Sequence, residues 1–162
     1  MEKKKIVVRA YESNDATDLA KIYYNTIHKV NTKDYSEIQL EAWAPKSSIE
    51  ADSWLKKFEK TKPLVAVNDK TVVGFAEFEP NGHIDCFYCH HEWIGFGVGS
   101  ALMNAIHEIA HGQKILKIFA EVSITARPFF EKHGFTVTEE QKVSIKGIEL
   151  INFKMEKRLN QN

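Results

Sequence analysis

The chain has 162 residues, with 22 Lys plus Arg against 22 Asp plus Glu, so its formal charge is zero. That length suits one domain, residues 1–162, and a 43% hydrophobic content supplies a core. Neutrality argues against a nucleic-acid binder driven by phosphate neutralisation, and two cysteines are too few for a disulfide framework.

Residues 6–11 read as a first strand. Ser13, Asn14 and Asp15 then offer N-cap chemistry. Leu19, Ile22, Tyr23 and Ile27 recur at helical spacing, which predicts a helix to about His28. A second helix is expected over about 35–43 and is stopped by Pro45. A further short helix is expected over 49–58. Residues 63–67 read as a strand, Asn68-Asp69-Lys70 as a turn, and 71–79 as the next strand. Pro80-Asn81-Gly82 closes a hairpin, and 83–89 returns as a strand.

Behind that strand comes Trp93-Ile94-Gly95-Phe96-Gly97-Val98-Gly99-Ser100-Ala101-Leu102. Three alternating glycines feed a helix over about 99–111, whose apolar face carries Leu102, Ala105, Ile106 and Ile109. Gly112 is expected to end it. A strand over 116–122 follows. Thr125 to Pro128 opens a short helix that Gly134 closes. Residues 135–143 and 148–155 form a closing hairpin. The whole is a mixed sheet covered by helices.

Glycines permit φ > 0 and close approach of a ligand. A helix N-terminus adds unpartnered N–H groups and a partial positive charge. The stretch is therefore a site for a phosphate or pyrophosphate; the plainer alternative is a glycine-rich strand-to-helix turn. A P-loop needs Gly-Lys-Ser/Thr, but the chain reads Gly99-Ser100-Ala101. A dinucleotide fingerprint from Gly97 needs glycine where Leu102 stands.

The loop resembles that of the GNAT superfamily of acyl-CoA-dependent N-acyltransferases, Gln/Arg-x-x-Gly-x-Gly/Ala. The frame falls on residues 94–99, with Ile94 in place of Gln or Arg and Phe96 in place of a common basic residue. Ala126-Arg127-Pro128-Phe129-Phe130-Glu131-Lys132-His133-Gly134-Phe135 is similar to the family's Asn-Ala-Arg-x-Phe-Tyr-Glu-x-x-Gly-Phe segment. Gly74-Phe75-Ala76 resembles its Val/Ile-Gly-Phe strand, and Asn152 to Lys157 its last strand. The implied fold is α+β, an α/β/α arrangement with a mostly antiparallel sheet that contains one splayed parallel pair.

The resemblance implies an acetyl-CoA-dependent N-acetyltransferase. Phe96, Gly97, Val98, Gly99 and Ser100 would cradle the pyrophosphate. The pantetheine arm would run between strands 83–89 and 116–122, paired with Phe87 and Cys89 and packed against Phe129 and Phe130. For the general base, Asp85 and His83 share a strand face, with Glu77 and Glu79 on the partner strand. The family's general-acid tyrosine is replaced by Phe130, which leaves Tyr88 or water to protonate the thiolate. Tyr24, His28, Tyr35 and Trp43 on the first two helices are the acceptor candidates. The expected acceptor is a small-molecule or peptide amine, with no nucleic-acid or membrane partner and a homodimer left open. The runner-up is a degenerate acyl-CoA-binding module.

Two strings imitate metal chemistry. His107-Glu108-Ile109-Ala110-His111 spells a zinc-peptidase helix, but helical periodicity puts both histidines opposite the apolar face, toward solvent. Cys86-Phe87-Tyr88-Cys89-His90 spells a haem attachment string, but cysteines three apart on a strand diverge. No metal is expected. No apolar run nears the roughly 20 residues that span a bilayer. The opening Met1-Glu2-Lys3-Lys4-Lys5 precedes no long apolar segment, so a cytoplasmic address is expected.

Overall fold

The computed structural model describes residues 4–160, so Met1, Glu2 and Lys3 of the opening stretch lie outside it. The strands are β1 (Val7–Ala10), β2 (Leu64–Asn68), β3 (Thr71–Phe78), β4 (His83–Cys89), β5 (Lys117–Ser123), β6 (Thr136–Ile145) and β7 (Ile148–Arg158). The helices are α1 (Ala16–Lys29), α2 (Glu37–Trp43), α3 (Leu55–Thr61), α4 (Val98–Gly112) and α5 (Arg127–Lys132). They build one seven-stranded sheet in the order β1-β2-β3-β4-β5-β7-β6. Every neighbouring pair is antiparallel except β4 and β5. No described helix is long and apolar enough to cross a membrane.

One face of the sheet is covered by α4 and α5. Leu102, Met103 and Ile106 of α4 are fully buried there against Val73, Ile84 and Ile118. Burial of such side chains contributes roughly 1.5–3 kcal/mol each. Gly74 lets α4 lie this close, because a Cβ there would stand 2.7 Å from Val98 Cγ1. The other face is covered by α1, α2 and α3, with Leu19, Ile22 and Phe58 packed on Val65, Phe75 and Cys86.

The entry to α1 is held by Asp15. Its carboxylate accepts two 2.8 Å bonds from the Arg9 guanidinium and one from the Glu12 N–H. Burial works to raise Asp15, but the Arg9 and Glu12 bonds and the Arg9 charge outweigh it, so its pKa is lowered. The associated stability is therefore present above the ordinary carboxylate range and lost as pH falls through the lowered value. Urea unfolding at pH 7 and pH 3 should show a smaller loss on acidification for Asp15→Asn than for the parent chain. At pH 7 that substitution should cost about 1–3 kcal/mol.

One predicted element and one predicted cap differ. Over 49–58 the chain makes two 3-10 turns, Lys46–Ile49 and Ala51–Ser53, before α3 begins at Leu55. Glu50 between them is extended, and the Ser48 and Ser53 hydroxyls bond the carbonyls of Pro45 and Ser47, competing with a continuous helix. α4 does end at Gly112, but Gly112 is not the left-handed cap. Lys114 takes the left-handed conformation (φ 57°), and the Ile115 N–H closes back on the Ala110 carbonyl at 2.9 Å.

Candidate active site

The parallel pair β4 and β5 joins only through His83↔Phe119 and Ile84↔Ala120. A bulge in β4 accounts for the parting. Between Ile84 and Phe87, β4 takes three steps where β3 takes two, from Phe78 to Ala76. The extra residue turns Asp85 and Cys86 together toward α3, where the Lys57 Nζ reaches both. Beyond the bulge the strands separate, and a cavity of about 540 Å³ opens between Asp85–Cys89 on one side and Ala120–Ser123 on the other.

The cavity continues to the glycine loop. Gly95 and Gly97 have φ of 86° and 89°, and α4 starts immediately after Gly97. The first helical bond runs from the Ala101 N–H to the Gly97 carbonyl. Among the described residues the N–H groups of Gly97, Val98, Gly99 and Ser100 have no protein acceptor. A Cβ at Gly97 would meet nothing within 4 Å, so the loop's backbone is open to a ligand. A Cβ at Gly99 would lie 2.8 Å from the Phe129 ring, so that glycine lets α5 close against α4. This donor set fits a diphosphate. Ile94 is 52% exposed and Phe96 rests on Trp93, so neither brings charge to it. Lys33, Lys132 and His133 are the cavity's basic side chains. His133 Nε2 stands 3.4 Å from Ser100 Oγ, and burial followed by nearby cations lowers its pKa.

The His90 N–H bonds the Val73 carbonyl at 2.8 Å, which fixes the parity of β4. Tyr88 and His90 turn their backbone to β3, and Phe87 and Cys89 turn theirs to the gap. The Cys89 carbonyl also accepts the Thr26 hydroxyl at 2.7 Å. The Phe87 ring meets Phe129 and Phe130 at 5.5 and 5.6 Å between centroids. Cys86 and Cys89 do diverge, one into the α1–α3 layer and the other toward Gly99. Burial pushes the Cys89 thiol up to about 12 and raises Cys86 as well.

His83 is held between Glu79, on its Nδ1, and Glu121, 2.8 Å from its Nε2. Burial opposes its charge, but the two carboxylates prevail and raise its pKa. Glu121 lines the cavity, although nothing in its sequence setting separates it from other strand acids. Asp85 is exposed, also lines the cavity, and pairs with Lys57 at 3.1 Å. Thus His83 and Asp85 face different partners. Tyr88 lines the cavity with its ring against Tyr23 and Phe75. Burial, then Tyr23 and Cys86, pushes its phenol well up, so it keeps its proton.

Of the four acceptor candidates, Trp43 lines the cavity. The Tyr24 ring packs at a tilt on His28, 4.2 Å between centroids, and His28 Nε2 pairs with the Ala44 carbonyl. The Tyr35 hydroxyl donates to the Ile151 carbonyl at 2.6 Å and accepts the Ile124 N–H at 2.9 Å. It thereby ties the chain before α2 to β7 and the end of β5. Tyr35→Phe leaves both backbone groups short of a partner, and a loss of about 1–3 kcal/mol is expected in urea denaturation. Thr26, Asn31 and Lys33, not chosen from sequence, line the cavity instead. Polar residues at a helix end carry no signal that separates capping from binding.

His107 is half-buried, which corrects the solvent-facing expectation. Its Nδ1 lies 2.7 Å from the Met103 carbonyl and its Nε2 2.9 Å from Lys157 Nζ. Both ring nitrogens are engaged, and among the described residues no group of three metal-ligating side chains includes His107 or His111.

Residues 31–157 match a family model described as an acetyltransferase (GNAT) domain. The uncharacterized N-acetyltransferase YafP of Escherichia coli (strain K12) is 30% identical over 150 residues, covering 93% of this chain and 94% of that protein. A GCN5-related N-acetyltransferase from Rhodopseudomonas palustris superposes with a TM-score of 0.90 at 31% identity, over 98% of this chain and 99% of the other. The PaiA N-acetyltransferase of Thermoplasma acidophilum, solved in complex with coenzyme A, gives 0.75 at 21% identity, over 96% and 99%.

Proposed function

The chain belongs to the GNAT acetyltransferases, acetyl-CoA-dependent enzymes, and on that premise we propose that it acetylates a primary amine of a small molecule or peptide by direct attack. The observation that carries this reading is the gap between β4 and β5, which leads straight to four unpartnered amides. A diphosphate at those amides and a pantetheine arm along Phe87 and Cys89 direct the thioester toward the bulge at Asp85.

Direct attack is supported by the thiols. Cys86 and Cys89 are both held neutral by burial, so neither offers a thiolate to carry the acetyl group. The acceptor reaches the cavity as an ammonium and must lose one proton first. Asp85 takes that proton directly or through one water. The free amine attacks the thioester carbonyl. A C–N bond forms, the C–S bond breaks, and sulfur leaves with the electron pair. Nitrogen's second proton balances the one that sulfur gains. His83, clamped by two carboxylates, stays charged to a higher pH than a free imidazole, which suits it to holding Glu121 rather than acting as base. Tyr88, with its proton retained, is the hydroxyl offered to the departing thiolate in place of Phe130. Two free cysteines support a reducing, cytoplasmic address.

The test is a thiol-release assay with acetyl-CoA across a panel of primary amines. Amine-dependent release of CoA supports the reading, and mass spectrometry identifies the acetylated nitrogen. Tight acetyl-CoA binding without release for any amine would instead favour a binding module.

A further inference from the structure

Lys57 of α3 does not line the cavity, yet it bridges two carboxylates in different settings. Its Nζ lies 3.0 Å from Oε1 of Glu77, which is 1% exposed and whose oxygens otherwise lack hydrogen bonds. It lies 3.1 Å from Oδ2 of Asp85, which faces the cavity. The Trp54 ring sits 5.4 Å below it, and Cys86 Sγ is 3.8 Å away. Burial opposes the ammonium, but the Glu77 and Asp85 carboxylates outweigh that and raise its pKa. Around Asp85 the further titratable groups are Tyr23 of α1 and Tyr88 of β4, both phenols pushed up by burial.

One ammonium shared by two carboxylates leaves one net negative charge. Glu77 is sealed from the cavity, so Asp85 presents that charge to an arriving amine. We propose that Lys57 is a positioning residue for acetyl transfer: anchored by Glu77, it holds the Asp85 carboxylate at the bulge, aimed into the cavity. This rests on Asp85 being the base. Lys57 acts through Asp85, without touching acceptor or thioester.

Lys57→Met alone would strand the buried Glu77 charge and destabilise the fold. The pair is therefore removed together, as Glu77→Gln with Lys57→Met, and folding is checked by thermal melting. The amine kcat should fall about tenfold or more, with KM for acetyl-CoA unchanged. The acidic limb of the pH–rate profile should move to higher pH, because an opposite charge within a few ångströms favours the ionised form. Lys57→Arg should stay within about threefold of the parent, since its fork can serve both carboxylates. Glu77→Gln alone should move the limb the other way, to lower pH, because Lys57 then belongs to Asp85 undivided. Opposite shifts are not what a merely structural lysine produces. Limbs unmoved in both variants, while Asp85→Asn abolishes the limb, overturn the role of Lys57 and spare the base. Asp85→Asn with an intact profile overturns both.

Discussion

Gly97→Glu raises the dissociation constant for acetyl-CoA by about thirtyfold or more in titration calorimetry, the equivalent of about 2 kcal/mol. Two effects must be separated to argue this. Gly97 has φ 89°, so any side chain there strains the backbone by about 1–2 kcal/mol. That strain acts on free and bound protein alike and appears chiefly as lost stability. Gly97→Ala carries the strain alone, because its Cβ would enter open space. It should therefore melt lower but bind within about threefold of the parent. The glutamate adds a negative charge at the positive end of α4, where a diphosphate would sit. The difference between the two variants isolates that charge. Equal affinities for both would remove the loop from the cofactor site.

Asp85→Asn lowers the amine-dependent kcat by about a hundredfold, the lower range for a general base, and leaves acetyl-CoA affinity unchanged. The substitution keeps the shape of the side chain at the bulge. It leaves Lys57 paired with Glu77, so the buried carboxylate is not orphaned. A stability defect is therefore not expected to confuse the result. The acidic limb of the pH–rate profile should vanish with the carboxylate. An unchanged kcat and limb would turn attention to Glu121, the other carboxylate that lines the cavity.

The loop was legible in the sequence because its chemistry is local. Alternating glycines followed at once by a helical apolar pattern say where amides lie free, whatever the rest of the chain does. The strand before it was read with the same bounds, 83–89, because Pro80-Asn81-Gly82 fixes its start. The gap beside that strand was legible only through family resemblance. It depends on one extra residue between Ile84 and Phe87, and a bulge leaves no mark in an alternation pattern that short. Lys57, Glu77 and Asp85 were equally hidden as a group, since they come from three elements and meet only through sheet register. Glu77 reads as one acid among apolar neighbours, with nothing to show that it is buried. His107 was misplaced because helical periodicity describes its own helix and not Lys157, which β7 carries beneath it.

The two parallel strands part like the jaws of a peg, with Ile84 and Ala120 at the spring. Both are almost fully covered, and the backbone there is already committed to the sheet. In the proposed binding mode, a linear tail runs in from the glycine end and stops where the ladder resumes. On that binding mode, the distance from the free amides to that stop would be a ruler built into the fold, against which the length of the donor's arm is measured.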